Sequence, residues 1–266
     1  MADRDALLRE AERRLNEAIR ERTPPSADGT PSLDARLDPV PETLEMATTS
    51  VASLLASLRG QNDFIREWRE VRTPEDHAAA TGLDVVADPE AWAAFLRSER
   101  GKTDDAFSFD ALAFSPLIYP QDASAYSASL SYSGGQATTG LSKLAFNTRA
   151  PTAGDTLTFD QWASMVETIV MWRQTRFIGI GPPSHGIHNA VYEFRAWPGW
   201  MAWLPVQIDP SALPETAIVT SIGGGTLVAA QDRTIRSDRP DDLERSAALE
   251  MALVELDVLP LRRNLQ

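Results

Sequence analysis

The chain has 266 residues and a formal net charge of −13, because 38 Asp and Glu outnumber 25 Lys and Arg. That balance argues against direct binding to nucleic acid or an anionic membrane, since phosphate contacts need clustered basic side chains. The absence of cysteine excludes disulfides, thiolate nucleophiles and thiolate metal ligands. No apolar run approaches the roughly 20 residues that cross a bilayer, and the charged residues 1–5 do not begin a secretory signal, so we expect a cytoplasmic protein.

The first 41 residues predict a helix followed by a linker. Apolar residues at a spacing near 3.6 form one stripe along residues 3–22, and six acids and six Arg leave this helix neutral. Five prolines between positions 24 and 41 then favour a linker or extended surface segment over residues 23–41. We interpret residues 1–41 as an appendage that packs back or meets a partner, and residues 42–266 as one domain.

The next hundred residues predict helices and then strands. A helix over 42–58 and a shorter one around 61–69 come first. A third helix has Asp88 as its N-cap, with Pro89 and Glu90 in its first turn. From about residue 109 the apolar period changes to two, and it is clearest over 126–132 and 141–146, with Ser133-Gly134-Gly135 as a hairpin turn between them.

The C-terminal half predicts a sheet closed by helices. We expect a helix over 158–175, a short strand over 177–180, further strands near 190–196, 201–207, 216–221 and 225–231, and a last helix over 238–256. Helices first, then a largely antiparallel sheet interrupted and closed by helices, make the predicted fold class α+β.

Residues with catalytic chemistry are few and poorly arranged. His185 and His188 have a spacing that suits two metal ligands on a helix, but Gly186 and the prolines before it favour a loop. The glycines at 223–225 lie between two strand-like runs and indicate a hairpin turn instead of a phosphate loop. No Gly-x-Ser-x-Gly motif is present. We therefore expect no enzyme activity, no catalytic residue, no cofactor and no metal.

Two acidic windows are the candidate binding surfaces. Nine acids and three bases lie between Glu75 and Asp110, and ten acids and four Arg lie between Asp209 and Asp257. Such surfaces are either simply solvated or attract a basic partner. The predicted partner-binding residues are Asp84, Asp88, Glu90, Glu99, Asp104, Asp105, Asp238, Asp241, Asp242 and Glu244.

The last quarter of the chain carries a family resemblance. The segment Gly199–Pro205 reads Gly-Trp-Met-Ala-Trp-Leu-Pro, Gly225–Ala230 reads Gly-Thr-Leu-Val-Ala-Ala, and an Ala/Leu/Glu-rich helix with a final Leu-Pro occupies Ala247–Pro260. This series resembles the immunity protein 52 family of bacterial polymorphic-toxin and type VI secretion systems. The helix 42–58 and the following Ile65–Trp68 are similar to the family's opening segments.

The resemblance implies an α+β immunity protein that neutralises a toxin encoded by the adjacent gene, often a nuclease with a restriction-endonuclease fold. It implies no catalytic residues. A nuclease presents basic surface to DNA, and an acidic inhibitor can associate with that surface quickly and cover it; disruption of toxin oligomers is an alternative mechanism. Two other functions stay open: an adaptor or chaperone for a secreted effector that docks through helix 3–22, and a small-molecule enzyme.

Overall fold

A single antiparallel sheet organises the molecule, with helices on both of its faces. The computed structural model describes residues 2–22, 30–59, 67–71, 73–79, 81–100, 112–114, 117–118, 128–134, 142–148 and 157–265. Within these residues no helix is both long and apolar enough to cross a membrane.

The described residues form seven α-helices and eleven strands. The helices are α1 (Ala2–Arg22), α2 (Leu44–Arg59), α3 (Pro74–Ala78), α4 (Pro89–Arg100), α5 (Phe159–Trp172), α6 (Pro183–His188) and α7 (Pro240–Glu255). The strands are β1 (Ser32–Leu37), β2 (Trp68–Glu70), β3 (Leu83–Asp84), β4 (Leu112–Phe114), β5 (Leu117–Ile118), β6 (Ala128–Gly134), β7 (Ser142–Thr148), β8 (Thr175–Gly181), β9 (Met201–Leu204), β10 (Ile218–Ile222) and β11 (Gly225–Ala229).

The strands pair in the order β10-β11-β9-β8-β1-β7-β6-β5-β2-β3, and β4 also pairs with β6. Every pairing between these strands is antiparallel. Short hairpin connections, such as the turn at Gly223 and Gly224 with φ of 57° and 85°, are possible because antiparallel neighbours need no crossover. The predicted α+β class and this predicted turn are confirmed.

Strand β1 corrects the prediction of a linker over residues 23–41. It lies near the middle of the sheet, between β7 and β8, and its alternate residues Leu33, Ala35 and Leu37 are fully buried. The prolines that suggested a linker flank the strand instead of interrupting it, so they leave its backbone donors free for both ladders. The sheet domain therefore includes Ser32–Leu37, and the predicted start at residue 42 is too late.

The sheet separates two hydrophobic layers. On one face, α2, α4 and α5 cover a core that includes Trp92 and Trp162. On the other face, Leu249 and Leu253 of α7 pack in a second cluster. Strand β9 supplies both layers, because successive side chains point to opposite faces of a strand: Met201 and Trp203 join the first layer, and Ala202 and Leu204 join the second. Helices α4 and α7 therefore lie on opposite faces of the sheet.

Several local predictions are confirmed by cap geometry. Thr158 and Gln161 form a capping box at the start of α5: the Thr158 hydroxyl oxygen accepts the Gln161 N–H at 3.3 Å, and the Gln161 side-chain oxygen accepts the Thr158 N–H at 2.8 Å. In α4 the backbone N–H of Ala91 donates to the Asp88 carboxylate at 2.9 Å, as the Asp-Pro-Glu sequence predicted. Helix α7 begins at Pro240, two residues after its predicted start.

Three local predictions are wrong. Trp68 was expected in a helix around 61–69 and instead begins strand β2, while residues 60–66 lie outside the described part. The stretch 190–196 forms turns and a single bridge at Arg195 instead of a strand. Residues 183–188 form helix α6 where a loop was predicted, because Pro183 sits in the first turn, where its missing N–H costs no hydrogen bond.

Candidate functional site

The start of α4 presents two predicted partner-binding residues to solvent. Asp88 and Glu90 are both exposed. The carboxylate of Asp88 is held in place by the Ala91 N–H at 2.9 Å, and negative charge there also complements the helix dipole. Asp88 is therefore fixed by local structure, and both acids are open to a partner.

Asp84 combines surface position with a structural role. Its Oδ1 lies 2.8 Å from Nη2 of Arg59 and also accepts the backbone N–H groups of Val86 and Ala87 at 3.0 and 3.1 Å. These contacts tie the loop between β3 and α4 to the end of α2. Asp84 therefore has an internal cation beside it, and we expect its charge to contribute less to a partner's field than the charges of Asp88 and Glu90.

Helix α3 extends the acidic surface with two residues that the sequence window counted but did not single out. Glu75 is exposed and Asp76 is half-buried, both in the first turn, where Thr73 Oγ1 accepts the Asp76 N–H at 3.0 Å. Together with the α4 residues they form what we call the α3–α4 acidic surface: Glu75, Asp76, Asp84, Asp88 and Glu90. Residues 73–98 contain these five acids and one Arg, Arg97, and Arg59 of α2 adds a second cation beside Asp84.

Three further predicted residues of this window are Glu99, Asp104 and Asp105. Glu99 lies in the last two residues of α4, and nothing is described of its side chain. Asp104 and Asp105 lie outside the described residues. The partner-binding prediction for these three residues stays a prediction.

Asp242 is a predicted partner-binding residue, but it does not lie on the surface. It is fully buried in the first turn of α7, where it accepts two hydrogen bonds from Arg233 at 2.8 and 2.6 Å and one from the Arg236 N–H at 3.0 Å. Burial alone would raise the pKa of Asp242, but these hydrogen bonds outweigh it and hold the pKa below its usual value. Asp242 therefore stabilises the turn before α7 and is not available to a partner.

The other α7 residues are exposed but sit among cations. Asp238 pairs with Arg236 at 2.9 Å, whereas Asp241 and Glu244 are exposed. Residues 232–245 hold five acids and four Arg, so this end of α7 is close to neutral. Since α4 and α7 lie on opposite faces of the sheet, the two groups of predicted residues also lie on opposite faces.

A half-buried carboxyl contacts helix α4. Glu70 of β2 accepts a hydrogen bond from the indole N–H of Trp92 in α4 at 2.9 Å. Burial raises the pKa of Glu70 to about 7, although the Trp92 hydrogen bond acts in the opposite direction. The sequence did not indicate this pair, because nothing in the local pattern brings residue 70 next to residue 92.

On the opposite side of the sheet, a cavity of about 380 Å³ lies between α1, β1, β8 and α6. Its charged lining residues are Arg20, Asp34, Arg36, Glu193 and Arg262. A pocket lined by His185 and His188 would favour the alternative that the protein is an enzyme. Neither histidine is among the described residues that line this cavity. His185 is buried instead, and burial lowers its pKa to about 4. Across the described ranges, no group of three or more His, Asp or Glu forms a candidate metal site.

Comparison with known proteins gives a match at the level of structure. No protein-family model matches the chain, and no curated protein matches it. The fold is similar to that of the Pseudomonas aeruginosa T6SS protein PA0821, with a TM-score of 0.54 over 85% of this chain and 75% of that chain. The two sequences are 13% identical over this match. The likeness establishes that the two proteins share a fold.

Proposed function

We propose that this protein is a T6SS-associated immunity protein, a stoichiometric inhibitor that binds and neutralises a nuclease toxin and performs no chemistry of its own. The proposal rests on the α3–α4 acidic surface, because residues 73–98 hold five acids and Glu75, Asp88 and Glu90 among them are exposed. A toxin that cleaves DNA must present clustered basic side chains to phosphates. The shared fold with a T6SS protein and the sequence resemblance of residues 199–260 support the same context.

The inhibitory step we propose is occlusion of the toxin's DNA-binding surface. Glu75 sits in the first turn of α3, Asp88 and Glu90 sit at the start of α4, and the Ala91 N–H holds the Asp88 carboxylate in place. Preorganised charge of this kind accelerates diffusional encounter with a basic surface and fixes the orientation of the complex. The toxin's DNA would then be excluded by the bulk of the bound inhibitor.

The test is a binding and cleavage assay with the product of the adjacent gene. The two proteins are co-expressed, purified through a tag on one of them, and assayed for cleavage of linear DNA at increasing ratios of inhibitor to toxin. We expect a one-to-one complex and loss of cleavage near equimolar ratio. A toxin that neither co-purifies nor loses cleavage at a tenfold excess of inhibitor would refute the proposal.

An adaptor for a secreted effector is the second candidate, and one observation favours it: α1 leaves Leu15 and Ile19 exposed. Deleting residues 1–22 separates the two functions and keeps the central strand β1 intact. An inhibitor that acts through the α3–α4 acidic surface keeps its protection in a toxicity assay after this deletion. An adaptor that docks through α1 loses its partner.

A further inference from the structure

Strand β10 forms one end of the sheet. Among the described strands it pairs with β11 alone, whereas the strands inside the sheet pair on both sides. Thr220 and Ser221, in the second half of β10, are exposed. An edge strand presents a row of main-chain N–H and C=O groups without a partner in the sheet, and this row is a template for another extended strand. The chemistry of the β10 edge therefore specifies a strand as its occupant.

The register of the neighbouring strands shows which groups of β10 point outwards. The Ala230 N–H, directly after β11, donates to the Trp200 carbonyl, directly before β9, at 2.8 Å. Because main-chain groups alternate in direction along a strand, the even-numbered residues of β11 bond to β9 and the odd-numbered residues bond to β10. The odd-numbered residues of β11 lie opposite the even-numbered residues of β10. Val219 and Ser221 therefore point their N–H and C=O groups away from the sheet.

The β10 edge lacks the features that normally keep an edge strand from pairing. Natural edges carry charges, prolines or bulges, or they are very short. Strand β10 has five residues, its register with β11 is regular, and residues 216–230 contain no charged residue and no proline. The other end of the sheet differs, because β3 has two residues and ends in Asp84. Strand β10 is therefore the end of the sheet that is suited to pairing.

We propose that β10 pairs with β10 of a second copy of this chain, antiparallel, about a twofold axis at Thr220. This axis sets Val219 of each copy opposite Ser221 of the other, and both residues direct their main-chain groups at the opposite strand. Each such pair exchanges both of its N–H···O bonds. A strand that is its own complement in this way gives an isologous contact. One pair of short strands buries less than a standard interface, so we expect a weak dimer.

Other antiparallel registers of two β10 strands fit less well. An axis between two residues brings an outward-pointing residue opposite an inward-pointing one, so no hydrogen-bonded pair forms. An axis at Val219 needs the Ala217 N–H, which already donates to the Pro214 carbonyl at 2.8 Å. An axis at Ser221 sets Val219 against Gly223, which lies in the turn with a φ of 57°. The proposed register is therefore the one that this edge favours.

The side chains that meet in this register are uncharged. Thr220 lies opposite its own copy and Ile218 lies opposite Ile222, so β-branched residues face one another across the seam. Two chains that each carry a charge of −13 repel each other, and a contact without charges adds nothing to that repulsion. Asp84 of the α3–α4 acidic surface lies in β3, at the other end of the strand order, so this inference does not depend on the proposed function.

Sedimentation equilibrium of the full chain tests the position of the axis. For the wild type we expect the weight-average mass to rise with concentration from 29.1 kDa towards twice that value. Thr220→Lys sets two like charges directly opposite each other, as does Thr220→Glu, and each variant should dimerise at least about tenfold more weakly at low salt. An equimolar mixture of the two variants should dimerise again, because Lys of one copy then lies opposite Glu of the other.

A proline tests the main-chain pairing. Ser221→Pro removes an N–H that points outwards and no bond to β11, and proline is tolerated at such positions of an edge strand. This variant should stay monomeric. Ser221→Ala is the matched control, because it loses the same hydroxyl contact with Gln207 at 3.5 Å but keeps the N–H, and it should dimerise like the wild type. Circular dichroism and thermal midpoints of both variants verify that they fold.

Three results would overturn the proposal. A wild-type chain that stays monomeric up to its solubility limit has no such interface, and loss of toxin binding in Ser221→Pro would then assign the edge to the toxin. Dimerisation that persists in both Thr220→Lys and Ser221→Pro places the interface elsewhere. A mixture of the Thr220→Lys and Thr220→Glu variants that stays monomeric excludes the twofold axis at Thr220.

Discussion

The indole Nε1 of Trp92 lies 2.9 Å from Oε2 of Glu70, and this hydrogen bond joins α4 to strand β2 of the sheet. Because the Glu70 carboxyl is partly buried, its pKa is about 7 in the folded chain, against 4.5 for an unperturbed Glu. Between these two pH values the folded state binds more protons than the unfolded state. Raising the pH across this window therefore lowers the free energy of unfolding.

Glu70→Gln should remove this pH dependence while it keeps an acceptor for the Trp92 N–H. Relative to the wild type, the variant should gain stability progressively from pH 4.5 to 7, by at most about 1.4 kcal/mol per pH unit. Urea denaturation at several pH values in this range measures the difference. A wild type and variant with parallel pH profiles would show that Glu70 titrates normally in the folded state.

The titration of His185 has the opposite effect on how the free energy of unfolding depends on pH. Its folded pKa of about 4 lies below the usual 6.5, so the unfolded state binds more protons between these values, and stability is lost as the pH falls through them. In the wild type this pH dependence of stability partly cancels the one that Glu70 produces. The Glu70→Gln variant should therefore become more stable as the pH rises from 4 to 6.5, and the further change His185→Gln should flatten its profile.

Helix starts were predictable from the sequence where neighbouring residues form the helix cap. The Asp88-Pro89-Glu90 start of α4 and the Thr158–Gln161 capping box are local signals, and both helices begin where these signals lie. Strand β1 was missed because its six residues are too few to outweigh the flanking prolines, and its position depends on pairing with residues more than a hundred positions away.

The sequence shows where the acidic residues of the candidate site lie, but it does not show which of them are exposed and which are buried in a structural role. The acidic windows are visible in the sequence, and Asp88 and Glu90 are exposed as a binding role requires. Asp242 could not be distinguished from Asp241, because its burial depends on Arg233 and the Arg236 N–H in an irregular segment without periodicity. The side chain that faces inward at a helix start is decided by tertiary packing.

Asp242→Asn should therefore destabilise the protein, whereas Asp241→Asn should not. The first change weakens two charge-assisted hydrogen bonds from Arg233 and one from the Arg236 N–H, and we expect a loss of roughly 2–3 kcal/mol. The neighbouring exposed position should change stability by less than about 0.5 kcal/mol. Equal urea midpoints for the two variants would contradict the structural role of Asp242.

The backbone conformation and close packing at Gly199 require glycine at this position. Its φ is 69°, and a Cβ there would lie 1.9 Å from the Ile180 carbonyl oxygen. Gly199→Ala should cost at least about 2 kcal/mol, because backbone atoms would have to move and the residue would stay in a left-handed conformation. Gly224, with φ of 85° and open space around its Cβ position, is the matched control, and its change to Ala should cost only about 1 kcal/mol. Similar thermal midpoints for the two variants would contradict this account.

If the α3–α4 acidic surface attracts the toxin, as we propose, reversing its charge must slow association, and stopped flow at several salt concentrations measures the association rate constant. The variant Glu75→Lys, Glu90→Lys reverses two exposed charges of this surface, and the matched control Asp241→Lys, Glu244→Lys makes the same change of charge on α7. The first variant should associate at least about tenfold more slowly at low salt, with a flatter salt dependence, while the control stays within about threefold of the wild type. Equal rates for the first variant and the wild type, or a slower control, would contradict the claim.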